Sequence, residues 1–157
     1  IDVSLVGSEM CIRDRSWTVI DDSYNASPEA FAAACGLLGG WPTDARRILV
    51  CGDMLELGEA ASACHQDAGL AIAQAGIDRV FALGDFSRDV VGSALDAGLD
   101  PNSGEAFGKN EMSSLLHRLQ QTLRAGDVLL GERLARHADG EGHRVASIRG
   151  PGICRAT

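Results

Sequence analysis

Residues 21–28 read Asp-Asp-Ser-Tyr-Asn-Ala-Ser-Pro and lie between an apolar, strand-like run and a helix. Two adjacent carboxylates, a phenol, an amide and a hydroxyl crowd the point where a strand releases its chain into a loop, which suggests a binding edge. Helix-start chemistry accounts for part of it: Ser27 suits an N-cap and Pro28 the first helical position, with no ligand required. Asp21, Asp22, Tyr24 and Asn25 are left unexplained by that reading. A second polar stretch, Gly52-Asp53-Met54-Leu55-Glu56-Leu57-Gly58, follows another apolar run, and His65 comes shortly after it. Asp53 and Glu56 suit either ligand contact or loop and helix-cap duty, since carboxylates favour helix N-termini. His65 near a helix start suits a packed or capping residue as well as a site residue. Gly84-Asp85 reads as a turn, and His117, His137 and His143 show no metal spacing with Cys or Asp partners.

The elements that must hold these stretches alternate. Strand-like runs are expected at 17–20, 46–51, 79–83 and 127–130, with a short one at 105–107. The unbroken apolar centre of Arg46-Arg47-Ile48-Leu49-Val50-Cys51 suggests burial on both faces, as in a parallel sheet. A helix is expected over 28–38, where Phe31, Ala34, Cys35 and Leu38 share one face. A second spans about 60–75, with Cys64, Ala68, Ala71, Ile72 and Ala75 inward and Gly76 as its stop. A third carries Val90, Val91, Ala94 and Leu95. The fourth has a stripe of Met112, Leu115, Leu116, Leu119 and Leu123, read as core. The order β-α-β-α-β-α-β-α-β implies an α/β fold, a Rossmann-like three-layer sandwich with a mostly parallel sheet. Ligands of such sheets bind beyond the carboxyl ends of the strands. The stretches 21–27, 52–58 and 84–85 should therefore gather along one rim.

Composition narrows the class. The chain has 157 residues, 45% hydrophobic and 23% charged, which suits one globular domain. A net charge of -8 argues against a nucleic-acid surface. No run approaches a membrane span and no signal peptide is evident, so a cytoplasmic protein without membrane contact is expected; it is also expected to be a monomer. Five scattered cysteines without a CxxC pair indicate neither a disulfide framework nor a zinc site. No G-x-x-x-x-G-K-[ST] loop exists, so any nucleotide touched here must have its phosphates held elsewhere.

Asp21 to Pro28, then Cys51-Gly52-Asp53-Met54-Leu55-Glu56-Leu57-Gly58, then His65, together resemble the C-terminal domain of the Mur ligase family, over about residues 17–130. The family patterns are DDSYNANP and LGDMxELG, with a histidine early in the next helix. Ser27 stands where the pattern has Asn, and Cys51 where it has an aliphatic residue. Ligases of this family have a UDP-sugar domain, a central ATPase and a C-terminal Rossmann-like domain that closes over the nucleotide. The resemblance implies an ATP-dependent, amide-forming step of peptidoglycan synthesis. A carboxylate of UDP-N-acetylmuramoyl-tripeptide is phosphorylated, and the amine of D-alanyl-D-alanine attacks the acyl phosphate. It further implies ATP contacts at Asp22, Tyr24, Asn25 and Ser27, with the Asp22 carboxylate accepting from the ribose hydroxyls. Dipeptide contacts are implied at Asp53, Met54, Leu55, Glu56 and His65, and Mg2+ would be held mainly by the central domain. No residue here is assigned a catalytic or metal-binding role, and this domain alone is expected to be inactive.

Two alternatives stay open: the equivalent domain of another amide ligase, of the folylpolyglutamate type, and a free-standing non-enzymatic Rossmann-like binding module. The ends of the chain read differently from its middle. Residues 1–15 show no clear period and resemble an adapter-derived, non-native segment, a short native strand being the alternative. Residues 131–157 contain five Arg and five Gly, against seven basic and sixteen acidic residues over 16–130. They read as a disordered or frameshifted tail, since a one-nucleotide shift would permit an amphipathic helical sequence in place of 133–144.

Overall fold

A computed structural model describes residues 2–6, 9–13, 17–21, 27–132 and 154–155. Its strands are β1 (Asp2–Val6), β2 (Glu9–Arg13), β3 (Trp17–Asp21), β4 (Arg47–Cys51), β5 (Arg79–Leu83), β6 (Gly104–Phe107), β7 (Asp127–Glu132) and β8 (Cys154–Arg155). Its helices are α1 (Pro28–Gly39), α2 (Ala61–Gln74), α3 (Ser87–Asp96) and α4 (Met112–Thr122), and a short 3-10 turn, Gly58–Ala60, leads into α2. The expected alternation from β3 to β7 is present, with most boundaries shifted by one or two residues.

The strands form one sheet in the order β1-β2-β3-β7-β4-β5-β6. From β3 to β6 every neighbouring pair is parallel. Parallel neighbours need crossovers, and the helices supply them, which is why the sheet is covered on both faces. In β4, Leu49 and Cys51 face the layer of α1, α2 and α3, whereas Ile48 and Val50 face α4. Alternate residues of one strand thus enter two cores, which explains the unbroken apolar run. The architecture is the expected α/β sandwich with a mostly parallel sheet.

Several details differ from expectation. β1 and β2 pair antiparallel and extend the sheet past β3 within a segment whose sequence gave no clear period. β8 pairs in parallel with the end of β3, through Ile20 with Cys154 and Asp21 with Arg155. The rest of the tail, 133–153 and 156–157, lies outside the described residues, and with it the expectation of a disordered or frameshifted segment. On α2 the buried face is His65, Ala68, Gly69 and Ile72, while Cys64, Ala71 and Ala75 pack at its margin. The face is rotated because α2 packs on α3 as well as on the sheet. At Gly69 a Cβ would run into the backbone of Val90 and Ala94, so only glycine permits this closeness.

Charge closes the amino-terminal edge of the sheet. Asp127, almost fully buried, pairs with Arg46 and also accepts the Arg124 N–H, tying β4 to the turn before β7. Glu105 on β6 bridges Arg79 of β5 and Arg118 of α4. Among the described residues no helix is long and apolar enough to cross a membrane.

The α4 layer offers a stability test. Leu115 and Leu119 are the helix residues buried fully against Ile48, Val50, Phe81, Leu83 and Leu129. Leu119→Ala is expected to cost about 2–5 kcal/mol in urea unfolding, because a cavity adds to the lost transfer energy. Leu116→Ala, at the margin of the same helix, should cost clearly less.

Candidate functional site

The carboxyl ends of β4, β5 and β6 release three loops side by side, because the strands pair in register as Cys51 with Ala82 and Leu83 with Phe107. The loop after β4 begins Gly52-Asp53-Met54, the loop after β5 is Gly84-Asp85-Phe86, and the loop after β6 is Gly108-Lys109-Asn110-Glu111. Two of these were expected to meet on one rim, and they do so through hydrogen bonds.

Asp53 is 9% exposed, and its carboxylate spans the gap to the β5 loop. Oδ2 accepts the Asp85 N–H at 2.8 Å and Oδ1 accepts the Phe86 N–H at 3.1 Å. These N–H groups belong to the two residues just before α3, which has no side-chain cap from its own flanking residue. A carboxylate from a different element thus sits at its amino-terminal end, favoured by the positive end of the helix dipole. Gly84 makes room for this contact. It lies at φ 135°, and a Cβ there would overlap the Asp53 carboxylate. Ser87 completes the turn by donating its hydroxyl to the Gly84 carbonyl at 3.0 Å.

His65 is 1% exposed and stacks on Phe86, with ring centroids 4.6 Å apart. Its Nε2 lies 2.9 Å from the Met54 backbone nitrogen and its Nδ1 2.6 Å from the Ala61 carbonyl oxygen. A backbone N–H can only donate, so Nε2 is the acceptor and the ring hydrogen sits on Nδ1. Asp53 Oδ1 is a further 3.9 Å from Nε2. His65 thus reaches the rim loop, but both of its nitrogens are engaged within the protein. The side chain of Met54 turns inward and joins the core.

Leu55 and Glu56 point the other way. Leu55 is 45% exposed, and Glu56 is exposed and adopts φ 62°, the left-handed region that non-glycine residues rarely enter. At the third loop, Lys109 Nζ lies 3.3 Å from Asp85 Oδ2, and Glu111 accepts the Gly108 N–H. Lys109, the only lysine in the chain, was not singled out for the site. Its position just after a strand of the sheet was the available signal.

Ser27 accepts the Ala30 N–H at 3.1 Å and caps α1, with Pro28 inside the first turn. The helix-start reading of this pair therefore holds. Asp22, Tyr24 and Asn25 lie outside the described residues. The chain leaves β3 for them at Asp21, which pairs with Gly131 at the carboxyl end of the sheet. Among the described residues no group of three His, Cys, Asp or Glu side chains is arranged to hold a metal ion. A polar groove of about 320 Å3 between α2 and α3 is lined by Gln66, Arg88, Asp89, Gly92, Ser93 and Asp96, none of them rim residues.

The family model for the Mur ligase glutamate ligase domain matches residues 9–131. The chain belongs to the Mur ligase family. It is 31% identical over 128 residues to the UDP-N-acetylmuramoyl-tripeptide–D-alanyl-D-alanine ligase of Bacillus subtilis strain 168, covering 78% of this chain and 26% of that protein. Over 72 residues it is 44% identical to the enzyme of the same name from Escherichia coli K12, covering 46% of this chain and 16% of the relative. Among solved structures, MurF from Acinetobacter baumannii superposes with a TM-score of 0.64 at 25% identity, covering 80% of this chain and 27% of that one. This Mur ligase chain thus spans about a quarter or less of the relatives it matches.

The Asp53 link is testable by stability alone. Asp53→Ala strips the acceptor from the N–H groups of Asp85 and Phe86, just before α3, and is expected to cost about 1–3 kcal/mol in chemical unfolding. Gly84→Ala should cost a similar amount, since it both strains the backbone and displaces the same carboxylate.

Proposed function

We propose that this chain is the C-terminal domain of the ligase that joins D-alanyl-D-alanine to UDP-N-acetylmuramoyl-tripeptide in peptidoglycan synthesis. The observation that carries the reading is the family match over 9–131 together with relatives that bear that ligase's name. The geometry supports it. A parallel sheet presents its loops at the carboxyl edge, where ligands of such sheets bind, and the two family motifs both begin there.

In this reading the domain closes over ATP held by a central domain and presents the incoming dipeptide. Asp22 accepts hydrogen bonds from the ribose hydroxyls, and Tyr24 and Asn25 complete the nucleotide-facing edge. The carboxylate of Asp22 suits paired hydroxyl donors. Ser27 sits beside this edge as the cap of α1. At the neighbouring loop, Glu56 meets the amine end of the dipeptide and Leu55 its methyl groups, while Asp53, Met54 and His65 shape the loop from behind. The phosphates and Mg2+ fall to the central domain, because this sequence has no glycine-rich phosphate loop with its lysine. The domain contributes positioning and exclusion of water around an acyl phosphate that forms elsewhere.

Mixing the purified chain with the amino-terminal and central domains of a relative should restore ligation that requires both ATP and D-alanyl-D-alanine, followed as ADP release and product formation. The chain alone should turn over no ATP. Asp22→Ala in the mixture should raise the KM for ATP by about tenfold, the loss of a charge-assisted hydrogen bond. Full activity of that variant would remove Asp22 from the nucleotide edge. Consumption of glutamate in place of the dipeptide would point to a ligase of the folylpolyglutamate type.

A further inference from the structure

We infer that His65 is a positioning residue: as the Nδ1–H tautomer it anchors the Met54 backbone so that Leu55 and Glu56 are held outward from the rim, facing the amine substrate. The part concerning the amine rests on the ligase reading above, whereas the anchor does not.

The anchor is built from three directions. Ala61 fixes one ring nitrogen from the first turn of α2, Met54 occupies the other from the β4 loop, and Phe86 covers a ring face from the start of α3. His65 is therefore the point where α2, the β4 loop and the α3 start meet. The Met54 side chain is buried at 5% exposure, so this residue is held by both backbone and side chain. The chain beyond it then turns outward within two residues. Glu56 at φ 62° is a conformation that persists where the surroundings over-determine it. Here the surroundings are the Met54 anchor on one side and, on the other, the turn closed by the Ala60 N–H donating to the Leu57 carbonyl at 3.1 Å.

The outward pair has a definite chemistry. An exposed carboxylate next to an exposed branched apolar side chain suits an ammonium or amine group carried beside a small alkyl group. It does not suit an anion. Fixing the backbone between an inward Met54 and an outward Leu55-Glu56 sets the direction of that carboxylate without His65 touching the substrate. The residue would act on the affinity for the amine substrate and leave ATP binding unchanged.

Two substitutions separate the roles. His65→Gln can keep an acceptor near the Met54 N–H, whereas His65→Leu fills the space without one. In the 157-residue chain, nitrogen-15 spectra of the His65 ring should show the Nδ1–H tautomer. Hydrogen exchange at the Met54 amide should be at least about tenfold faster in His65→Leu than in the wild type, and near the wild-type rate in His65→Gln. In the ligation mixture, His65→Leu should raise the KM for D-alanyl-D-alanine by about tenfold with the KM for ATP unchanged, and His65→Gln should restore it. An Nε2–H tautomer, or unchanged Met54 exchange in His65→Leu, would overturn the anchor. Equal rises in both KM values, or no restoration by Gln, would overturn the positioning role. Should His65→Leu fail to fold, the wild-type tautomer and the His65→Gln exchange and kinetics still decide. A wild-type mixture without ligation would overturn the ligase reading and the amine-facing role with it, leaving the exchange data to judge the anchor.

Discussion

The Asp53 carboxylate joins two loops that would otherwise be independent. It leaves the loop after β4 and accepts the N–H groups of the two residues that lead into α3, so the end of one strand is tied to the start of the helix after the next strand. Open N–H groups at a helix start must find an acceptor, and a buried one left unmade is costly. That demand gives the rim its shape. It places Gly84 where no Cβ fits, and it brings Phe86 over the ring of His65. The rim of this domain is thereby a preformed surface in which a few backbone positions are set by long-range partners.

The same link divides the motif at 52–58 into two parts. Asp53 and Met54 face the protein, and Leu55 and Glu56 face outward. The buried pair holds the exposed pair in place, so the outward groups are ordered by the fold itself. The opposite edge of the sheet shows a contrasting use of charge. Asp127 with Arg46, and Glu105 with Arg79 and Arg118, are paired across elements and close the amino ends of the strands. At the carboxyl rim, Lys109 and Asp85 form a largely exposed pair, which solvent screening makes weak.

Much of the scaffold was legible because it follows from local pattern. The α1 face of Phe31, Ala34, Cys35 and Leu38 is buried as its spacing implies, and so are the centres of β4 and β5. The buried face of α2 was less legible. Cys64 and Ala71 have the right spacing for an inward stripe, yet His65 and Gly69 are deeper, because α2 packs against α3 as well as the sheet. Periodicity reports that a face is buried; the number of neighbours decides how wide it is. The hairpin of β1 and β2 has its partners in the sheet edge, and no local period announced it.

The site divides along the same line. Sequence alone determined the order of elements from β3 to β7, the parallel sheet implied by their alternation, the meeting of the loops after β4 and β5 at its carboxyl edge, and membership of the Mur ligase family through two separated motifs. These rest on residue type and spacing, which a chain carries before it folds. Only the tertiary structure decided what Asp53, His65 and Glu56 do there. A carboxylate and an imidazole are equally suited to a ligand, a helix cap or a backbone anchor, and the choice is made by what lies within hydrogen-bond reach. For Asp53 that is a backbone 32 residues away, and for His65 one 11 residues away. For Glu56 it is the turn of the chain itself, which leaves its carboxylate on the outside.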